Sequence, residues 1–279
     1  MLWRIDDWDD AYANGVNIPN GDDWPEKWVG PAEAFRKAAI ANGKAEIDVA
    51  YGEGARNRLD LFLPGGEPKG LVVFIHGGFW MKLDKSFWSN LAAGPVAHGW
   101  AVAMPSYTLA PEVHIAEITA EVGAAVTHAA GRIAGPIVIT GHSAGGHLTT
   151  RMVCETSPLP AAVRDRVVHA LSISGVHDLR PMRRTALNDV LHIDAGEALS
   201  ESPALLEPAD NVRLTCWVGA GERAEFIRQN ALLANIWKGC GAATLVVEEP
   251  DRHHFDVIDG LADPESPIVR QLLDPGGSI

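Results

Sequence analysis

The chain has 279 residues, of which 47% are hydrophobic and 21% are charged, and it carries a net charge of −13 with a pI of about 5.2. This length and composition suit one large domain with a sizeable hydrophobic core. So acidic a surface repels nucleic-acid phosphates and anionic lipids, which disfavours both as partners but says little about small neutral or zwitterionic ligands.

The N-terminal sequence and the cysteines indicate a cytoplasmic protein. Residues 1–15 hold four aspartates and two tryptophans, whereas a secretory signal needs a basic start followed by an apolar run. No window approaches eighteen consecutive apolar residues, so no segment is predicted to span a membrane. The three cysteines, Cys154, Cys216 and Cys240, form no CxxC pair and are interpreted as reduced thiols.

The N-terminal segment, residues 1–45, is predicted to be loop-like until a helix at 31–42, with Gly43 as its C-cap. The segment is rich in tryptophan, with Trp3, Trp8, Trp24 and Trp28. Beyond it, residues 46–51 and 57–63 alternate apolar and polar side chains on either side of a Gly-Glu-Gly turn. This pattern predicts an antiparallel β-hairpin.

From residue 70 onwards, strands and helices alternate. The run 70–75 is continuously apolar, which is typical of a strand buried on both faces. The other predicted strands are 100–105, 136–140, 167–174, 212–218 and 243–248, and the predicted helices are 85–98, 114–132, 144–155, 222–238 and 266–273. The alternation predicts an α/β fold with a mostly parallel central sheet flanked by helices.

The stretch 176–210 interrupts this alternation. It is rich in arginine, proline and polar residues and follows a predicted strand, so we interpret it as a small cap-like insertion. No internal repeat or linker divides the sequence. Residues 1–279 are therefore predicted to form a single domain.

A nucleophile motif follows the strand at 136–140. Residues 141–145 read Gly-His-Ser-Ala-Gly, the pattern G-x-S-x-G, between an apolar strand and a predicted helix. In this context the serine lies on a sharp strand-to-helix turn, and the helix N-terminus favours the anion that develops there. Ser143 is therefore predicted to be the nucleophile of a serine hydrolase with the α/β-hydrolase fold. The neighbouring His142 and His147 are interpreted as packing or hydrogen-bonding residues.

A glycine-rich loop at 76–80, with the sequence HGGFW, follows the first buried strand. Acyl transfer passes through a tetrahedral oxyanion that needs preorganised N–H donors, and an α/β-hydrolase carries such a loop before its nucleophile. We assign the donors to the backbone amides of Gly78, Phe79 and Ala144. His76 is interpreted as a structural residue of the loop rather than a catalytic one.

Aromatic residues near this loop are candidates for the walls of a substrate pocket. Phe79 and Trp80 could line a pocket for an aromatic substrate or simply pack the loop, and the sequence leaves both readings open. Tyr107 follows the strand at 100–105 and is the third candidate. Trp80 and Tyr107 are accordingly predicted to be substrate-binding residues.

The general base should follow the last strand and the acid the strand before it, because the catalytic order in this fold is Ser, then Asp or Glu, then His. His254 is chosen as the base, with the adjacent His253 as the alternative. Glu222 opens the loop after the strand at 212–218 and is chosen as the acid. Glu225, about one helical turn later, and Asp178, after the preceding strand, are its alternatives.

Five segments in order along the chain carry a resemblance to a known family. They are HGGFW at 76–80, SYTLAPEV at 106–113, GHSAGGHL at 141–148, EFIRQ at 225–229 and HFDVI at 254–258. Together they resemble the arylformamidase (kynurenine formamidase) branch of the α/β-hydrolases over roughly residues 46–262. Many esterases share the GHSAG segment, whereas the first and the last two segments are more specific.

The resemblance implies hydrolysis of N-formyl-L-kynurenine to kynurenine and formate, a step of tryptophan catabolism, and often cleavage of small aryl esters. The resemblance implies that Ser143 is the nucleophile, His254 the base and Glu222 the acid. Members of the family commonly have aspartate at the position of the acid, so the glutamate of this chain departs from the family pattern. Its side chain is longer than that of aspartate, but it carries the same carboxylate group.

The same sequence features also bear on other functions. A carboxylesterase acting on short acyl or aryl esters would use the same residues, because the motifs do not encode the leaving group. The intact set of Ser143, His254 and Glu222 argues against a non-catalytic binding protein. No HExxH or similar close-spaced ligand set is present, so no metal and no cofactor are expected. The expected partner is a small-molecule substrate, and a homodimer is left open.

Overall fold

A sheet of eight strands runs through the centre of the computed structural model, which describes residues 4–276. The strands are β1 (Ala45–Ala50), β2 (Arg58–Phe62), β3 (Leu71–Ile75), β4 (Ala101–Pro105), β5 (Ile137–His142), β6 (Val167–Ile173), β7 (Arg213–Gly219) and β8 (Ala243–Glu249). Their order across the sheet is β1-β2-β4-β3-β5-β6-β7-β8. The pairs of β1 with β2 and of β2 with β4 are antiparallel, and the others are parallel. Both the predicted hairpin and the mostly parallel sheet are confirmed.

The two faces of the sheet each support an apolar cluster. Leu71, Val73 and Ile75 of β3 belong to one cluster, and Val72 and Phe74 of the same strand belong to the other. Alternate side chains of a strand point to opposite faces, so a strand covered on both faces must be apolar throughout. This is the physical reason for the uninterrupted apolar run in the sequence.

Helices cover both faces of the sheet. They are α1 (Trp8–Tyr12), α2 (Trp24–Ala41), α3 (Ala93–Ala97), α4 (Ile115–Arg132), α5 (Ala144–Arg151), α6 (Ala161–Arg164), α7 (Asn188–Leu191), α8 (Ala195–Ser200), α9 (Ala224–Gly239) and α10 (Pro267–Leu273). Stretches of 3-10 helix are Gly15–Asn17, Gly21–Asp23, Lys85–Ala92, Met182–Arg184, Pro203–Leu205 and Asp259–Ala262. None of the described helices combines the length and apolar composition needed to cross a membrane.

The N-terminal segment is more helical than the sequence predicts, and Trp3 lies outside its described part. α2 begins well before residue 31, and α1 precedes it. Pro25 lies in the first turn of α2, where its missing N–H costs no hydrogen bond. Trp28 packs on Trp88 and on Phe255, with ring centroids 5.0 and 5.3 Å apart. The loop prediction was wrong because such tertiary contacts stabilise the helix, and the local sequence does not report them.

The predicted helix at 85–98 is divided in two. The 3-10 stretch Lys85–Ala92 contains Trp88 at a non-helical φ of −135°, and α3 follows it. Pro95 has no N–H to donate to a carbonyl one turn earlier, so a continuous helix would lose a hydrogen bond at this point. α5 also ends earlier than predicted, since Cys154 pairs with Pro208 in an isolated β-bridge.

The segment 176–210 connects β6 to β7 through short helical turns that include α7 and α8. Leu179, Met182 and Leu191 are buried in the larger apolar cluster, so the segment is anchored in the core. The backbone N–H of Ala186 donates to the Asp9 carboxylate at 2.6 Å, which joins the segment to the N-terminal segment. Its role as a cap remains a prediction.

Five of the buried histidines in the described part of the chain have a lowered pKa. Burial lowers the pKa of His76, His147 and His169 to about 4 and that of His177 to about 3. It lowers the pKa of His142 well below 6.5. In the unfolded chain these groups titrate near 6.5. As the pH falls below about 6.5, the unfolded chain therefore binds protons that the folded chain does not, and stability is lost until the folded-state pKa values are reached.

We therefore expect the free energy of unfolding to fall between pH 6.5 and pH 5 by about 2 kcal/mol for each of these five histidines. Urea unfolding at pH 7.5, 6 and 5 measures the loss. His169→Gln should flatten the slope by up to about 1.4 kcal/mol per pH unit, because it removes one such group. The exposed His192 is the matched control, and His192→Asn should leave the slope unchanged. Identical slopes in both variants would contradict this explanation.

Candidate active site

Ser143 lies on a sharp turn between β5 and α5. Its backbone has φ 57° and ψ −116°, a region in which a non-glycine residue costs about 1–3 kcal/mol. A Cβ atom on Gly145 would lie 2.0 Å from the Ile75 carbonyl oxygen, and one on Gly141 would lie 2.5 Å from the Gly145 carbonyl oxygen. Both glycines of the G-x-S-x-G pattern are therefore required by the close approach of backbone to backbone.

A histidine and a carboxylate meet near this turn. The His254 Nδ1 atom lies 2.6 Å from Glu222 Oε2, and both side chains are almost completely buried. The other carboxylate oxygen of Glu222 accepts hydrogen bonds from the Gly219 N–H at 2.9 Å and from the Ser174 hydroxyl. Glu222 is thus held where its carboxylate can accept a hydrogen bond from the Nδ1–H of His254, which leaves Nε2 as the basic nitrogen of the ring.

The alternative acids are engaged elsewhere. Glu225 accepts hydrogen bonds from the Tyr12 hydroxyl and from the Arg228 guanidinium, both at 2.7 Å. The guanidinium of Arg180 donates to both carboxylate oxygens of Asp178, at 2.8 and 2.9 Å. Burial alone would raise the pKa of Asp178, but its hydrogen bonds with Arg180 outweigh burial and the pKa is lowered. The geometry therefore favours Glu222 over both alternatives.

The alternative base, His253, also points to other partners. Its ring packs edge-on against Trp24 with centroids 5.0 Å apart. Its Nδ1 atom accepts a hydrogen bond from the backbone N–H of Phe255 at 3.1 Å. His253 is absent from the cavity that contains Ser143, whereas His254 lines that cavity.

The HGGFW loop packs directly against the serine turn. A Cβ atom on Gly77 would lie 3.1 Å from the Ser143 Cβ. Gly78, Phe79 and Trp80 all have positive φ values, of 111°, 50° and 58°, which turns the backbone sharply at this point. Gly78 and Phe79 line the same cavity as Ser143. Their amides stay candidate oxyanion donors.

The third candidate amide belongs to the first residue of α5. Ala144 follows Ser143 directly, and the first amides of a helix have no carbonyl one turn earlier to bond. The amide of Ala144 is therefore available to an anion at the serine, in addition to the dipole of the helix.

The other histidines near the turn have structural partners. His76 stacks on Tyr107, with ring centroids 4.3 Å apart and planes 4° from parallel, and its Nδ1 lies 2.7 Å from the Gly77 carbonyl oxygen. His142 Nε2 lies 2.8 Å from the backbone carbonyl oxygen of His254, and His147 Nε2 lies 2.6 Å from that of Glu201. These contacts fit the structural and hydrogen-bonding interpretations that the sequence suggested.

A cavity of about 230 Å³ opens beside Ser143 and His254. Four aromatic side chains line this cavity, those of Trp28, Phe79, Trp88 and Phe255. Part of the wall comes from the N-terminal segment, including Asn14, Asp22 and Trp28. The tryptophans of this segment are evident in the sequence, but their place in the site is not, because no local pattern shows which distant surface a tryptophan covers.

Two residues that the sequence assigned to substrate binding do not lie on this cavity. Trp80 and Tyr107 are both completely buried. Trp80 packs edge-on against His147 with centroids 5.1 Å apart, and the Tyr107 hydroxyl donates to the His76 carbonyl at 3.0 Å. Both support the loop from behind, so the walls of the cavity are assigned to Trp28, Trp88 and Phe255 instead, together with Phe79.

The thiols and acidic side chains of the described chain show no metal-binding arrangement. Within residues 4–276, no group of three or more His, Cys, Asp or Glu side chains is placed to hold a metal ion. Cys154, Cys216 and Cys240 are free thiols, and burial raises the pKa of Cys154 to about 11 and that of Cys216 to about 12.

Comparisons with known proteins agree with this architecture. The alpha/beta hydrolase family model matches residues 72–278. The kynurenine formamidase of Salmo salar is 29% identical over 84% of this chain and 83% of its own length. That of Drosophila melanogaster is 28% identical over 82% of this chain and 77% of its own length. These similarities confirm the resemblance that the sequence motifs predicted.

A solved structure is similar over nearly the whole chain. It is a protein from Silicibacter sp. TM1040, provisionally named a thioesterase, that is 48% identical. The two structures superpose with a TM-score of 0.89 over 95% of this chain and 98% of the other.

Proposed function

Because this chain belongs to the alpha/beta hydrolase family, we propose that it hydrolyses an aryl formamide, with N-formyl-L-kynurenine as substrate and L-kynurenine and formate as products. The observation that carries the proposal is the aromatic cavity beside Ser143 and His254, which suits an aromatic leaving group. The similarity to proteins named kynurenine formamidase over most of both chains supports the same substrate.

In the proposed first step, His254 accepts the proton of the Ser143 hydroxyl as the serine oxygen attacks the formyl carbon. Glu222, 2.6 Å from His254 Nδ1, keeps the ring in the required tautomer and stabilises the imidazolium that forms. The negative charge moves to the formyl oxygen, where the backbone amides of Gly78, Phe79 and Ala144 are the proposed donors.

In the proposed second step, His254 returns the proton to the aryl nitrogen as the carbon–nitrogen bond breaks and kynurenine leaves. The formyl group remains on Ser143 as an ester. A water molecule then attacks this ester while His254 accepts its proton. His254 passes that proton to the Ser143 oxygen as the carbon–oxygen bond of the ester breaks and formate leaves, which restores the hydroxyl of Ser143. The formyl group needs little space, whereas the leaving group occupies the aromatic cavity.

Hydrolysis of a short acyl ester or thioester is the second candidate function. The specific observation in its favour is the 48% identity to the Silicibacter protein provisionally named a thioesterase. The proposed catalytic residues would serve either reaction, because the two differ in the leaving group and in the pocket that binds it.

The two candidates predict opposite substrate preferences. We expect kcat/KM on N-formyl-L-kynurenine to exceed that on p-nitrophenyl acetate, although the ester has the better leaving group. Binding of the kynurenine portion in the aromatic cavity would supply this advantage, since an interaction made in the transition state raises kcat/KM. Steady-state kinetics with both substrates on the purified protein measure the ratio.

A set of p-nitrophenyl esters with acyl chains from acetyl to octanoyl serves as the control series. We expect the rate to fall as the acyl chain grows. A higher kcat/KM on the acetate, or a rate that rises beyond butyryl, would identify a carboxylesterase and remove the formamidase proposal.

A further inference from the structure

The mouth of the cavity carries two exposed side chains of opposite charge. Asp22 lies in the 3-10 turn Gly21–Asp23 of the N-terminal segment, and Lys82 follows the HGGFW loop. Both line the cavity that contains Ser143, and both are exposed. Within residues 4–276, neither forms an ion pair with another side chain. Their charges are therefore available to a ligand.

The backbone holds Lys82 and Asp22 in place relative to the site. The N–H of Lys82 donates to the Gly78 carbonyl at 3.1 Å, so Lys82 belongs to the same turn as a candidate oxyanion amide. A Cβ atom on Gly21 would lie 2.0 Å from the Gly15 carbonyl oxygen. Only glycine allows this contact, which brings the turn of Asp22 against the backbone next to Asn14.

Asn14 adds an unpartnered polar group to the same cavity. Its side chain is 5% exposed, and neither Nδ2 nor Oδ1 has a hydrogen-bond partner among the described residues. Buried polar groups in proteins are nearly always hydrogen-bonded. A carboxamide that is buried beside a cavity without a partner points to a ligand that supplies one, and it offers both a donor and an acceptor.

We propose that Lys82, Asp22 and Asn14 form a subsite for the head group of a zwitterionic α-amino acid, with Lys82 binding its carboxylate and Asp22 its ammonium group. This inference rests on the proposed function for the identity of the substrate. Asn14 hydrogen-bonds to the same head group. The pairing of opposite charges matches a zwitterion, because each substrate charge meets its complement, whereas a neutral ester gains nothing from either residue.

The subsite explains how the protein would distinguish an amino-acid formamide from a simple aryl one. The formyl group lies at Ser143, the ring lies between the aromatic walls, and the head group reaches the mouth of the cavity. Removing one charge should lower kcat/KM on N-formyl-L-kynurenine about tenfold, because a hydrogen bond to a charged group is lost. It should leave 2-formamidoacetophenone unaffected, since this compound has the same aryl formamide without the amino-acid group.

The test compares Lys82→Met and Asp22→Asn with two matched controls on both formamides. Lys44→Met and Asp23→Asn remove the same charges from exposed residues that do not line the cavity. We expect about a tenfold loss on N-formyl-L-kynurenine in the first pair only, and less than a twofold change on 2-formamidoacetophenone in all four variants. Equal losses on both substrates, or no loss on either, would overturn the subsite.

A binding measurement separates failure of the subsite from failure of the proposed function. Isothermal titration of L-kynurenine and of 2-aminoacetophenone into Ser143→Ala, with and without Lys82→Met or Asp22→Asn, needs no turnover. A Kd for L-kynurenine that rises about tenfold in the double variants, with an unchanged Kd for 2-aminoacetophenone, supports the subsite even if the wild-type protein does not hydrolyse the formamide. If the Kd for L-kynurenine is the same in Ser143→Ala and in both double variants, the subsite is ruled out, even if the wild-type protein hydrolyses the formamide.

Discussion

Replacing Ser143 with alanine is expected to lower kcat on the order of 10⁶-fold, the loss typical when a catalytic triad loses its nucleophile. The fold should persist, because alanine keeps the Cβ atom that packs against Gly77 and tolerates the strained backbone as serine does. Steady-state kinetics on N-formyl-L-kynurenine and on p-nitrophenyl acetate, together with thermal unfolding, measure both parts of the prediction. The effect should be equally large on the two substrates, since both reactions would pass through the same serine.

An exposed serine provides the matched control. Ser200→Ala, at the end of α8, should retain full activity. A phosphonate inhibitor should label wild-type protein at Ser143, as peptide mass spectrometry can show, and should leave the Ser143→Ala variant unlabelled. Retention of a tenth of wild-type activity by Ser143→Ala would contradict the proposed mechanism.

Replacing Glu222 with glutamine is expected to lower kcat by roughly 10²–10⁴-fold. The negative charge that accepts the hydrogen bond from the Nδ1–H of His254 is lost, so the ring can adopt the wrong tautomer and its protonated form is less stable. The change keeps the size of the side chain, and the Gly219 N–H and Ser174 hydroxyl that contact Glu222 remain in place. Kinetics over a range of pH, with circular dichroism to verify the fold, measure the effect.

Glu225 provides the comparison for this prediction. Glu225→Gln removes the negative charge that Tyr12 and Arg228 contact, so its expected effect is on stability, with kcat within about a few-fold of wild type. Glu222→Asp keeps the carboxylate on a shorter side chain, and its kcat should fall between those of wild type and Glu222→Gln. The opposite ranking of the two glutamine variants would move the acid to Glu225.

Several features of this protein were predictable because they depend on residues close together in the chain. The buried strands are continuous apolar runs since helices cover both faces of the sheet. Ser143 could be proposed from five residues, because the close approach of Gly141 and Gly145 to neighbouring backbone demands glycine at both positions. His254 and the HGGFW loop could be proposed because each follows a recognisable strand.

The choice between carboxylates needed the tertiary structure. Glu222 and Glu225 lie in one short stretch of sequence, and both are acidic residues near the start of a helix. They differ in their distant partners, since Glu222 meets His254, 32 residues away, and Glu225 meets Tyr12, 213 residues away. No local pattern encodes such contacts, because they depend on how the whole chain packs.

The walls of the cavity also depend on long-range packing. The sequence alone determined the order of the candidate segments along the chain, from the glycine-rich loop to the proposed nucleophile, acid and base. Each of these segments follows the end of a strand, and parallel strands bring those ends to one edge of the sheet. Only the tertiary structure decided that Trp80 and Tyr107 are buried behind the loop, and that Asn14, Asp22 and Trp28 of the N-terminal segment line the cavity. An aromatic side chain is equally suited to a core or to a pocket wall, and the surface that packs against it determines which of the two it forms.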